Sequence, residues 1–148
     1  SLEPAPIGKA VVRRQGTQIA ILAFGTVLAA AFEAGHRLNA TIVDMRFVKP
    51  LDTALLDQLA ANCKLIVTVE ENAVMGGAGS AVNEYFNECG VVIPLLNLGL
   101  PDRFLDQGKQ AQIIAECGLD ASGIEASVRE RWKLVAPSYA LNSKSTAV

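Results

Sequence analysis

The sequence predicts a three-layer α/β/α domain on a mostly parallel five-stranded sheet with one antiparallel edge strand. Three observations lead there. Short β-like runs alternate with helical runs, which implies right-handed βαβ crossovers with helices on both faces of the sheet. Leu65–Val69 and Val91–Leu96 are nearly continuous apolar runs, as expected of strands buried on both sides. The first strand stands outside the alternation and is expected at an antiparallel edge.

Each element has a local reason. Residues 1–8 carry two prolines and a glycine and read as a linker. Lys9–Arg14 and Gln18–Phe24 are β-like, with Gln15-Gly16-Thr17 between them as a tight turn, so the pair is expected to form a hairpin. Thr26 is expected to cap a helix from Val27 to about Leu38, closed by Asn39 in a left-handed conformation. Ala40–Met45 is the next strand. Asp52 caps a helix whose apolar face is Leu55, Leu56 and Leu59. Leu65–Val69 follows, then a glycine turn at Gly76-Gly77-Ala78-Gly79 and a helix from about Ser80 to Cys89, stopped by Gly90.

Val91–Leu96 is the last strand, and Gly99-Leu100-Pro101-Asp102 reads as loop. A helix at Ala111–Cys117 ends at Gly118. Asp120 caps the final helix, with Leu119 and Ile124 as a hydrophobic staple. Its buried stripe is Ile124, Val128, Trp132 and Val135 at helical spacing. The domain is expected over 9–136, and 137–148 reads as a tail without periodicity.

The chain has 148 residues, one ordinary domain. Apolar residues are 51% and charged residues 19%, which excludes a disordered chain. Net charge is −2, with no basic stripe, so nucleic acid is not an expected partner. No apolar run approaches membrane-spanning length, and Ser1-Leu2-Glu3-Pro4 lacks a signal-peptide layout. Cys63, Cys89 and Cys117 are far apart, odd in number and without a CxxC pair. They read as small buried or half-buried thiols in a reducing cytoplasm, not as a disulfide framework or zinc site.

Ligand sites in open α/β sheets lie at the carboxyl ends of the strands. Two segments there carry unusual residues: Arg46 to Asp52, and Glu70 to Ser80. The second feeds a helix N-terminus, whose free N–H groups can hold an anion. It matches no phosphate fingerprint: Gly79-Ser80 has no lysine between, and Val82 stands where GxGxxG needs glycine. Adjacent strand residues point to opposite faces, so Glu70 and Glu71 are not an acid/base pair. One is expected to accept backbone N–H groups from the glycine loop, and the other to face solvent or a neighbouring domain. Arg46 and Lys49 suit an anionic group or an acidic surface, with a solvated or salt-bridged role as the more common fate of such residues. The one histidine, His36, has no triad or metal partners around it. The candidate residues are thus Arg46, Lys49, Glu70, Glu71, Asn72, Gly76, Gly77, Gly79 and Ser80, as an interface or an anion site. No catalytic, cofactor or metal-ligating residue is assigned.

Four strings carry a resemblance: LEPAPIGKAVVRRQG (Leu2–Gly16), VDMRFVKPLD (Val43–Asp52), VTVEENAVMGGAGSAVNE (Val67–Glu84) and LNLGLPDRFLDQG (Leu96–Gly108). Together and in order they resemble the C-terminal, transketolase-like domain of the 1-deoxy-D-xylulose-5-phosphate synthase family. The looser pattern of strand, Glu-Glu, Gly-Gly and helix also occurs in the C-terminal domains of transketolases and pyruvate dehydrogenase beta subunits.

The resemblance implies a homodimeric, cytoplasmic enzyme of three domains. It condenses pyruvate with glyceraldehyde 3-phosphate, releases carbon dioxide, and feeds isoprenoid, thiamine and pyridoxal synthesis. Thiamine diphosphate and Mg²⁺ carry that chemistry. The family's metal-diphosphate motif begins Gly-Asp-Gly, and no such triplet occurs here. This chain is therefore expected to bind no cofactor by itself and to be inactive alone. It is expected to pack on the cofactor-binding domains and to help hold the dimer. Two alternatives stay open: a docking domain of a transketolase or 2-oxo acid dehydrogenase beta subunit, and a regulatory anion-binding domain using the Gly76–Ser80 helix start.

Overall fold

The computed structural model describes residues 6–73, 77–100 and 110–136. It contains a five-stranded sheet in the order β1-β3-β2-β4-β5. The strands are β1 (Val11–Arg14), β2 (Ile19–Phe24), β3 (Thr41–Asp44), β4 (Leu65–Ala73) and β5 (Leu95–Leu100). The helices are α1 (Leu28–Arg37), α2 (Thr53–Asn62), α3 (Ala78–Glu88), α4 (Gln110–Glu116) and α5 (Ala121–Val135). The β2, β3, β4 and β5 pairings are all parallel, and β1 alone runs antiparallel, at one edge. The expected fold class holds.

The alternation of side chains along β2 and β4 explains the three layers. Ile19, Ile21, Ala23, Leu65, Val67 and Val69 face one side, where Ala31 and Ala34 of α1 and Ile124, Val128 and Trp132 of α5 cover them. Ala20, Leu22, Phe24 and Ile66 face the other, against Leu56 and Leu59 of α2 and Val82 and Phe86 of α3. Burying each large side chain contributes about 1.5–3 kcal/mol. A strand apolar on both faces must lie inside the sheet, which puts β2 and β4 at its centre.

The hairpin expected between the first two strands does not form. β1 pairs with β3, Val12 opposite Val43, and β2 lies on the far side of β3. Gln15-Gly16-Thr17 is a crossing, not a turn, held by the start of β3. The Gly16 N–H donates to Thr41 Oγ1 at 2.9 Å and the Thr17 N–H to the Asn39 carbonyl at 3.1 Å. A Cβ on Gly16 would lie 2.2 Å from that carbonyl oxygen, so no side chain fits there. β2 is buried at every position, whereas β1 exposes Val12 and Arg13. The half-exposed strand takes the edge and leaves the centre to the apolar one.

The fifth strand also differs from expectation, starting at Leu95 and not Val91. Pro94 has no N–H to give a ladder, and only its carbonyl is used, accepting from Ile66 N at 3.1 Å. Val92 is 99% exposed, so its apolar run is connector. Gly99 and Leu100, expected in a loop, belong to the strand. Pro101 and Asp102 lie outside the described residues, as does the expected tail.

Caps account for most helix ends. Asn39 adopts φ 52°, the left-handed closure expected of it, and Gly90, expected to stop α3, takes φ 70°. Asp52 and Asp120 accept from Leu55 N at 3.2 Å and Gly123 N at 2.9 Å. Leu119 and Ile124 are both buried in one cluster, as a staple requires. Thr26 is not a cap: a 3₁₀ turn over Gly25–Val27 precedes α1, and no side chain caps it. Across the sheet face, Arg37 joins Glu125 of α5 at 3.2 Å, and Arg129 joins the same carboxylate at 2.9 Å. Cys63 and Cys117 are half-buried and unpaired, and burial pushes the Cys63 thiol pKa up. Cys89 is exposed, contrary to the expected half-buried thiol, because it follows α3 at a solvated turn. No helix among the described residues is long and apolar enough to cross a membrane.

Candidate functional site

The ends of β2, β3 and β4 bring the two expected segments to one edge of the sheet. Phe24 pairs with Glu70, and Ala23 with Asp44. Met45 N donates to the Ala23 carbonyl at 3.0 Å, so the chain leaves β3 beside the end of β2. β1 runs antiparallel, so its start lies at this same edge.

Glu70 is 1% exposed. Its two carboxylate oxygens accept the N–H groups of Ala78, at 2.9 Å, and Gly79, at 2.6 Å. The backbone-accepting role foreseen for one of the two glutamates thus falls to Glu70. Free N–H groups at a helix start need acceptors, and the positive end of the helix dipole favours a carboxylate there. The chain supplies that anion itself. α3 consequently begins at Ala78, two residues before the expected Ser80.

The strand pleat turns Glu71 the other way. It is half-buried and accepts the Thr26 hydroxyl, linking the loop after β2 to the end of β4. Thr26 was not legible as a site residue, because its partner is 45 positions away. Gly79 lies against a partly buried polar chain in which Asn83 Nδ2 donates to Asn97 Oδ1 at 2.6 Å and Asn97 Nδ2 to Thr68 Oγ1 at 2.7 Å. A Cβ on Gly79 would come within 2.7 Å of Thr68 Oγ1 and 2.8 Å of Asn97 Nδ2. Gly77 and Ser80 are half-buried around this helix start. Gly76 and the Asn72 side chain lie outside the described residues.

The segment after β3 is built differently. Arg46 takes φ 63°, a left-handed conformation unusual for a residue with a side chain. Its guanidinium lies 5.8 Å from the Phe47 ring centroid. Arg46, Val48, Lys49 and Pro50 are exposed, and the Lys49–Pro50 peptide is cis. Asp52 closes the segment twice: Oδ1 caps α2, and Oδ2 accepts from Ala10 N at 2.9 Å. Gly8 packs on Pro50, where a Cβ would lie 2.9 Å from Pro50 Cγ. Asp52's hold on Ala10 was invisible in the sequence, because it depends on β1 landing beside β3. On the same sheet face as α2, the Tyr85 hydroxyl donates to Asp57 at 2.6 Å, which with the neighbouring Cys89 holds the tyrosine pKa above its ordinary range.

The five-stranded mixed sheet, with one antiparallel strand and helices on both faces, is that of a transketolase-type C-terminal domain. A profile of that family, "Transketolase, C-terminal domain", matches residues 8–124, and the chain belongs to it. Within the family, the chain is similar to a 1-deoxy-D-xylulose-5-phosphate synthase of Pseudomonas fluorescens, with 57% identity over 91% of this chain and 21% of the relative. It is 61% identical to the synthase of Ectopseudomonas mendocina over 88% of this chain and 21% of that one. The chain therefore spans about a fifth of the length of these curated relatives. A solved structure described as "Split gene transketolase, inactive beta4 tetramer" superposes with a TM-score of 0.78 at 33% identity, over 86% of this chain and 43% of that one.

Proposed function

We propose that the chain is the C-terminal domain of a 1-deoxy-D-xylulose-5-phosphate synthase and serves that enzyme by packing, not by chemistry. The parent condenses pyruvate with glyceraldehyde 3-phosphate, loses carbon dioxide, and supplies isoprenoid, thiamine and pyridoxal synthesis. It is a cytoplasmic homodimer. The observation that carries the reading is the extent of the similarity to two synthases, which runs over nearly the whole chain.

Thiamine diphosphate bound with Mg²⁺ supplies an electron sink for decarboxylation in such an enzyme. The described residues of this chain do not fit that group. Among the described residues, no three His, Cys, Asp or Glu side chains converge on one point. At the start of α3 the Ala78 and Gly79 N–H groups are already accepted by Glu70, and at α2 the Leu55 N–H is accepted by Asp52 and that of Thr53 by the Leu51 carbonyl. We assign no step of the reaction to this chain. Its work is to present the strand-end edge, with Arg46, Lys49, Glu71 and the glycine loop, to the cofactor-binding domains and to support the dimer.

The solved split-gene transketolase favours a second reading, a docking domain of a transketolase or related beta subunit. The complete gene product separates the two. Incubated with thiamine diphosphate, Mg²⁺, pyruvate and glyceraldehyde 3-phosphate, it is expected to release carbon dioxide and form 1-deoxy-D-xylulose 5-phosphate. Ketol transfer between sugar phosphates without decarboxylation would overturn the synthase reading. Pyruvate decarboxylation by the 148-residue chain alone would overturn the packing role.

A further inference from the structure

We infer that the corner formed by Arg46, Phe47, Val48, Lys49 and Ile7 is a contact surface for a carboxylate-bearing, partly apolar face of the cofactor-binding part of the same enzyme. This rests on the packing role proposed above and names the chemistry of its partner.

The first support is charge. Arg13, Arg37, Arg129 and Lys133 each meet a carboxylate within this chain. Arg46 and Lys49 are exposed and meet none among the described residues, as is also true of Lys9 next to Gly8. The second is apolar exposure beside that charge. Val48 is 37% exposed and Ile7 80%, while Phe47 lies half-buried under the Arg46 guanidinium. Because Gly8 packs on Pro50, Ile7 belongs to this same corner. Phe47 and Arg46 are of the residue types enriched in protein contact surfaces, and Lys49 suits the polar rim of one. The third is backbone. Arg46 holds a left-handed conformation that side chains rarely adopt, and such outliers persist where the surroundings require them.

A small anion is disfavoured as the occupant. Phosphate sites draw on the free N–H groups of a helix start. At α3 Glu70 already accepts the Ala78 and Gly79 N–H groups, and at α2 Asp52 accepts that of Leu55 and the Leu51 carbonyl that of Thr53. What remains is two exposed cations beside apolar side chains, with the Arg46 guanidinium 5.8 Å from the Phe47 ring centroid. That suits side-chain carboxylates on a protein face better than a phosphate.

The test uses the 148-residue chain and the rest of the synthase made as a separate polypeptide, with the dissociation constant measured by analytical ultracentrifugation. The wild-type chain is expected to bind, more weakly as salt is raised. The Arg46→Glu/Lys49→Glu variant is expected to bind roughly tenfold or more weakly, since opposed like charges are costly across an interface. Arg46→Ala/Lys49→Ala is expected to fall between, and Arg46→Lys/Lys49→Arg to retain binding. If the reversed variant is unfolded by circular dichroism, the alanine variant decides. Binding within twofold of wild type for the charge variants, or saturable phosphate shifts at Arg46 and Lys49 by NMR, overturns the inference and leaves the packing role standing. No binding by the wild-type chain overturns the packing role itself.

Discussion

The Glu70 carboxylate accepts the Gly79 N–H at 2.6 Å, and this bond joins the later part of β4 to the first turn of α3. A second bond, to Ala78 N, uses the other oxygen. The two donors are the orphan groups that every helix start carries. Filling them from inside the chain makes the helix start a structural joint.

Glu70→Gln is therefore expected to destabilise the chain. Glutamine offers one acceptor oxygen and turns an NH₂ group toward the other N–H. A buried donor then loses its partner, at a cost on the order of 2 kcal/mol. Glu71→Gln keeps an oxygen for the Thr26 hydroxyl and is expected to cost under about 1 kcal/mol. Urea unfolding of both variants checks the order. Equal losses would mean that the two glutamates do not differ as their hydrogen bonds indicate.

Gly79→Ala tests the close approach at the same joint. The added methyl would stand 2.7 Å from Thr68 Oγ1 and 2.8 Å from Asn97 Nδ2, both closer than carbon contacts allow. Thr68 is fully buried, so the strain falls on the polar chain that joins it to Asn97 and Asn83. A loss of roughly 1–3 kcal/mol is expected, as in other overpacked cores. Thermal unfolding measures it, and a neutral change would show that the helix start can move away.

Features set by near neighbours were legible in the sequence. Asn39, Asp52 and Asp120 act within a few residues of themselves, so their capping roles follow from residue type and spacing. The buried strands β2 and β4 follow from apolar runs. Features set at long range were not legible. A hairpin and a crossing look alike at Gln15-Gly16-Thr17, and contacts from Gly16 and Thr17 to Asn39 and Thr41 decide between them. Val91–Ile93 is as apolar as the true strand, but Pro94, with no N–H, was the available warning. At the candidate edge, the segments were visible, yet the pairing of Thr26 with Glu71 depended on the order of strands.

Two aspartates with the same capping role are expected to differ in cost. Asp120 caps α5 and is exposed, so Asp120→Ala is expected to cost about 1 kcal/mol. Asp52 is buried, caps α2, and also accepts the Ala10 N–H at the start of β1. Asp52→Ala removes the cap and leaves that edge-strand donor unpaired, so about 2–3 kcal/mol is expected. Amide hydrogen exchange should show the extra loss at Ala10 and along β1, with no counterpart in Asp120→Ala. Uniform exchange changes in the two variants would mean that Asp52 does not anchor the edge strand.

The Glu125 ion pairs give the fold an acid-sensitive joint between α1 and α5. Burial alone would raise this carboxyl pKa, but Arg129 and Arg37 outweigh it and hold it below the ordinary value of 4.5. A carboxyl whose folded pKa is depressed adds stability that is fully present above its unfolded pKa. That contribution fades as pH falls through the folded value. The wild-type urea midpoint is therefore expected to decline below about pH 4.5, part of the decline belonging to this group. Glu125→Gln is expected to be less stable at neutral pH and to show a shallower decline in acid, the two curves converging at the lowest pH. High salt should shrink the neutral-pH difference, because the side chain is 23% exposed and its two partners more so. Parallel curves over the whole range would assign the acid sensitivity to other carboxylates.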